Sequence, residues 1–114
     1  MSAGNYDMFC EQGATFVREF TVTDSSGDPI DYSGYTARMH VRRRVDSDTT
    51  LIELTTENGR ITMNSSGKIF VQLSATETAS LDTGGVYDLE IINSAGVVER
   101  LIEGNFVLSL EVTR

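Results

Sequence analysis

The sequence predicts an all-β fold, an antiparallel Greek-key sandwich with one short helical connector. Three observations predict it. Short runs of alternating apolar and polar residues recur along the chain, the period-two pattern of half-buried strands. Clusters of Gly, Asp, Asn and Ser separate these runs at fairly even spacing, as in sandwiches and barrels. Only one stretch, "SATETASL", carries a helix-start signature.

The elements follow in order. "YDMFCEQ", Tyr6 to Gln12, is a first run closed by Gly13. In "ATFVREFTVTD", Phe16, Phe20 and Val22 share one parity and should face the core. "SSGDP" combines Gly, Asp and Pro in one turn. The strand from Tyr35 to about Val45 is the clearest. Tyr35, Ala37, Met39 and Val41 lie on one face, and Thr36, Arg38, His40, Arg42 and Arg44 on the other. Arg43 breaks this parity and marks a strand end or a bulge. "LIEL", Leu51 to Leu54, is a short strand. "ENGR" contains Asn-Gly, a hairpin signal, followed by "ITM", the turn "NSSGK" and the strand Ile69 to Leu73. Ser74 with Glu77 three residues on is a capping box, so residues 75–80 should make a short helical connector. "VYDLEII" resumes the sheet with Tyr87, Leu89 and Ile91 inward. "NSAG" turns the chain, "VVERLIEG" pairs back with Gly104 as a bulge, and "NFVLSLEV" places Phe106, Leu108, Leu110 and Val112 on one face. The sum is about eight strands, immunoglobulin-like in general shape.

With 114 residues, the chain is long enough for one domain and one modest core. Residues 1–12 read as an N-terminal arm or edge strand, and residues 13–114 as a single sandwich domain. The polar, weakly patterned residues 1–12 should contact a neighbouring subunit, and their removal should change the melting temperature little. No apolar run approaches the ~18 residues of a membrane span. The N-terminus lacks the basic and apolar regions of a signal peptide, so no membrane and no secretion signal are expected.

Catalysis is not expected. The chain has one Cys and one His, and no Ser/Asp arrangement accompanies either. The acidic loops "DSSGDPID" and "DSDTT" lack the spacing of a calcium loop, and acidic turns are common for local reasons. "SSGK" lacks the rest of a phosphate-binding loop. No cofactor and no metal are therefore expected.

The chain holds 9 Lys+Arg against 17 Asp+Glu, a net charge of -8, yet four of its cations fall between Arg38 and Arg44. Three readings compete: a nucleic-acid grip, a docking patch for an acidic partner, and an internal ion-pair ladder. Nucleic-acid binding asks for aromatics on the basic face, but Tyr35 lies on the opposite parity. No nucleic acid is expected. Asp88 and Glu90 on "VYDLEII", and Glu99 in the next strand, can lie across from the arginines. The candidate partner-binding residues are Arg38, His40, Arg42 and Arg44, with Tyr6 and Met8 from the N-terminal run.

The stretches "GATF", "GDPIDYSGYTARMHVR", "LTTENG", "LSATETASL", "YDLE" and "EVTR" resemble small virion proteins of tailed bacteriophages. The chain is also similar to the N-terminal immunoglobulin-like domain of siphophage upper baseplate proteins. One departure is Tyr32, where that outline has Leu. The resemblance implies a non-enzymatic structural protein of the virion, assembled in the host cytoplasm. It would be a multi-copy adaptor of tail or baseplate, homo- or hetero-oligomeric with other virion proteins. Upper baseplate proteins extend beyond this point to hold a fibre, which favours an adaptor or decoration role here. The alternatives are a neck or capsid decoration protein, or a carbohydrate- or host-surface-binding sandwich, although sugar-stacking modules favour Trp and the chain has none.

Overall fold

A computed structural model describes residues 3–113. Nine strands and one helical turn follow in order: β1 (Gly4–Asn5), β2 (Met8–Glu11), β3 (Phe16–Thr21), β4 (Thr36–Arg42), β5 (Ile52–Thr55), β6 (Ile61–Met63), β7 (Lys68–Leu73), α1 (Ala75–Ala79), β8 (Gly85–Ile92) and β9 (Val98–Ser109). They form two facing sheets. The large sheet has the order β1-β9-β8-β4-β5, with β2 also on β9, and the small one the order β3-β7-β6. The all-β sandwich predicted from alternation is present. Its core joins Ala37, Met39 and Val41 of β4 and Leu89 and Ile91 of β8 to Phe16, Ile61, Ile69, Val71 and Leu73 of the small sheet. With a single cysteine, the inter-sheet disulfide of antibody domains has no counterpart, and apolar packing joins the layers.

Three turns share one local design. In "DSSGD", "NSSGK" and "NSAGV", the first side chain accepts the N–H groups two and four residues on: Asp24 from Ser26 and Asp28, Asn64 from Ser66 and Lys68, Asn93 from Ala95 and Val97. The fourth residue is a glycine with positive φ, at 85°, 74° and 84°. An Asx side chain supplies the acceptor and glycine supplies the left-handed conformation at no steric cost. The capping box also forms as predicted. Ser74 accepts the Glu77 N–H, and the Glu77 carboxylate accepts the Ser74 N–H at 2.7 Å. Thr78 of α1 is fully buried, where its hydroxyl donates to the Ala14 carbonyl and accepts the Gly13 N–H.

Four expectations are corrected. "ENGR" is no hairpin: β5 lies in the large sheet and β6 in the small one. The Asn58 side chain accepts from Thr55 and Arg60 and donates to the Glu53 carbonyl. It closes a tight corner that carries the chain between layers. "VVERLIEG" and "NFVLS" form one continuous β9, and the register shift sits opposite Leu89/Glu90 instead of at Gly104. Leu110 and Val112 lie beyond the sheet and are exposed. Lastly, β1 and β2 run parallel to β9, with Met8 opposite Phe106 and Cys10 opposite Leu108. Met8 and Cys10 are fully buried in the core. Removing residues 1–12 would empty that space, so the expected indifference of the melting temperature does not hold.

Gly104 explains how the N-terminal segment lies down. A Cβ there would collide with the Tyr6 carbonyl. Its absence lets residues 6–7 cross close over β9, where the Tyr87 hydroxyl donates to the Tyr6 carbonyl and Asp7 accepts the Asn105 N–H. Burial, with Tyr6 and Asp7 nearby, pushes the Tyr87 phenol well above its ordinary range.

Candidate interaction face on the large sheet

The outer face of the large sheet is built by strand alternation. With Ala37, Met39 and Val41 committed inward, Arg38, His40 and Arg42 must point outward. Cross-strand register sets what they meet. Arg38 stands opposite Glu90 and pairs with it at 2.8 Å. His40 stands opposite Glu53 of β5, and its Nε2 lies 2.8 Å from the Glu53 carboxylate. Arg42 donates to the Ser47 carbonyl at 3.0 Å and to His40 Nδ1 at 3.3 Å. With the Glu53 carboxylate accepting at Nε2 and Arg42 donating to Nδ1, the ring N–H of His40 is at Nε2. Among the described residues, Arg42 has no carboxylate within ion-pair distance.

Arg100 bridges Asp88 at 3.4 Å and Glu103 at 3.8 Å. These pairs are half-exposed, so each stabilises the sheet by at most ~0.2–1 kcal/mol. Their effect is to order the side chains on the face. Together with Asn5, Asp7, Val45, Val86 and Asn105 they line an open depression of about 550 Å³. Beside it, Phe9 and Val107 face each other across the β2–β9 pair and are both exposed, Phe9 at 61%.

The candidate residues fall into different places. Arg38, His40 and Arg42 share the depression. Arg44 lies past the end of β4, paired loosely with Asp46 at 3.5 Å on a fully solvated loop. Arg43 is likewise beyond the strand and exposed, which resolves its parity. Tyr6 is partly exposed and stacks edge-on against Phe20 of the small sheet, centroids 5.1 Å apart. Met8 is corrected: it is buried in its own core and presents no surface to a partner.

Among the described residues, the expected carboxylates Asp88 and Glu90 meet cations and Glu99 does not. The register shift inserts Leu101, so Arg100 faces Glu90 and Glu99 faces Ile91. Glu53, Arg100, Phe9 and Val107 escaped the sequence reading. Glu53 carries a signal, the polar parity of "LIEL", but its strand partner is not encoded locally.

The Cys10 thiol is buried, and desolvation raises it above its ordinary value against the lowering effect of Arg18. Among the described residues no group of three His, Cys, Asp or Glu is placed to hold a metal ion. No described helix is long and apolar enough to cross a membrane.

No family model and no curated protein matches the chain. Solved structures do. One is an extracellular domain of the voltage-gated sodium channel beta4 subunit, from work on parallel homodimers that explain its role in cell-cell adhesion. It is 14% identical, covers 98% of this chain and 97% of its own, and superposes with a TM-score of 0.50. Another comes from photo-crosslinking of multimeric cell-adhesive interactions of such channel beta subunits. It is 16% identical, covers 99% and 98%, and has a TM-score of 0.49. At this identity the likeness defines the fold, an immunoglobulin-like β-sandwich. It passes no function across, because this architecture hosts many.

The expected kinship with phage virion and baseplate proteins is overturned. The structure that superposes at a TM-score of 0.50 is an extracellular domain of a channel subunit, not a phage protein. The tail or baseplate adaptor, the neck or capsid decoration protein, the carbohydrate- or host-surface-binding alternative and the virion location fall with it. The reason is visible in the residues that carried the resemblance. Phe16, Tyr32, Ala37, Met39, Thr78 and Leu81 are all buried, and "DSSGDP" and "TENG" are turns. Such positions specify a sandwich and its corners, not its role. Tyr32, the one departure, is itself buried and stacks edge-on against Tyr35 at 5.1 Å.

Proposed function

We propose that this domain is a non-catalytic protein-interaction module that self-associates through the outer face of its large sheet. The carrying observation is the pairing of an apolar patch, Phe9 and Val107, with a pre-ordered set of charges on one face. Exposed aromatic surface beside ordered arginines is the composition of interface centres. The parallel homodimers of the beta4 extracellular domain, similar in fold, support testing self-association first. Arg38, His40 and Arg42 form the charged part of the face, with Arg44 at its margin; Tyr6 packs toward Phe20 of the small sheet and is not part of it.

Sedimentation velocity over a wide concentration range tests this. The wild-type chain should show a concentration-dependent sedimentation coefficient, and Phe9→Glu should lower it at unchanged circular dichroism. A wild-type chain that stays monomeric throughout would falsify the proposal.

A further inference from the structure

The charges on the outer face are sorted by strand. β4 presents Arg38, His40 and Arg42 in one column, and the other side presents Glu103 from β9 and Asp7 beside it. β8 lies between with Asp88 and Glu90; Arg100 is the exception, a cation on the acidic side. Among the described residues, two of these groups are under-partnered: Arg42 has no carboxylate, and Glu103 has only Arg100 at 3.8 Å. A cationic column and an acidic column on either side of a central strand are self-complementary under a two-fold rotation.

We infer that a second copy of this chain docks face to face, Arg42 of each copy pairing with the partner's Glu103. The inference rests on the self-association proposed above and specifies its register. The geometry follows from the observed pairing, with Arg42 opposite Val86, Val86 opposite Asn105, and Asp88 opposite Glu103. Arg42 and Glu103 are thus two strands and one outward step apart. Take the face as a flat grid, with strands about 4.8 Å apart and outward residues about 6.8 Å apart along each strand. The two-fold axis that lays Arg42 over the partner's Glu103 lies in the interface and crosses β8 obliquely. The same rotation places Asp88 between the partner's His40 and the partner's Arg42. It lays Glu90 over the partner's Glu53 and brings Arg100 beside that carboxylate pair as its counter-charge. It also lays Phe9 on the partner's Val107, so the apolar patch covers itself. One operator therefore gives Arg42 a carboxylate, gives Glu103 a second cation beside Arg100, and covers the exposed apolar pair. The Arg42 fork is already held by Ser47 and His40, which lowers the ordering cost of a carboxylate contact.

The test is a charge swap. Arg42→Glu alone and Glu103→Arg alone should each weaken self-association at least roughly tenfold, because like charges are brought together. Mixed in equal amounts, the two variants should form a heterodimer, since each offers the charge that the other lacks. The double variant should associate like the wild type. Circular dichroism checks folding, and both side chains are at the surface, so folded variants are expected. Recovery in the mixture and in the double variant supports the register. Single variants that associate normally, or a mixture that stays monomeric while the wild type dimerises, overturn the register and leave self-association standing. A wild-type chain that is monomeric overturns both.

Discussion

Met8→Ala tests the placement of the N-terminal strand. Met8 is fully buried, opposite Phe106, on a strand held by parallel pairing to β9. A buried Met→Ala change costs about 2–5 kcal/mol through lost transfer energy and the residual cavity. At ~3 kcal/mol, and ~4 °C per kcal/mol for a chain of this size, the melting temperature should fall by about 12 °C. The neighbouring residue supplies the control. Phe9 points the other way and is 61% exposed, so Phe9→Ala should change monomer stability by under ~1 kcal/mol. Urea unfolding followed by circular dichroism, at protein concentrations low enough to keep the chain monomeric, measures both. If the two substitutions cost the same, or Met8→Ala costs less than about 1 kcal/mol, residues 8–11 do not occupy this strand and the account of β2 is wrong.

Thr78→Val keeps the shape of a buried side chain but orphans the Gly13 N–H and the Ala14 carbonyl. Thermal unfolding should show a loss of about 1–3 kcal/mol, while Thr62→Val on the exposed face of β6 should be nearly neutral. The Glu77 carboxyl is held below its ordinary value by the Ser74 N–H first, with Arg60 contributing. A depressed carboxylate contributes stability that is present above its unfolded value, 4.5, and lost as pH falls through the folded one. Glu77→Gln should therefore be less stable than wild type near neutrality, with the gap closing as pH falls below 4.5 in denaturation at stepped pH.

The legible part of the candidate face was the part written on one strand. Alternation from Thr36 to Arg42 fixed which side chains point outward, because inward placement of Ala37, Met39 and Val41 leaves no other choice. Alternation likewise put Asp88 and Glu90 on the outward parity of β8. Their pairing with the arginines was one of three readings left open, because the β4–β8 register is not written on either strand. Arg100 was not legible, because one inserted residue opposite Leu89/Glu90 reverses the parity of everything beyond it. Phe9 was read as part of a polar arm. Its exposure depends on Met8 and Cys10 being drawn into a core that the local sequence does not show.

The sequence by itself determined the features whose interactions span four residues or fewer. These are the Asx–glycine turns at 24–28, 64–68 and 93–97, the Ser74–Glu77 capping box, and the alternation of β4 and β8. Tertiary structure alone decided which strands became neighbours. Asn58-Gly59 turned out to join two sheets, not two paired strands, and β2 found β9 some hundred residues away in parallel. Alternation states that a strand has an apolar face. It does not state which layer receives it, because that depends on how all the faces together fill one core.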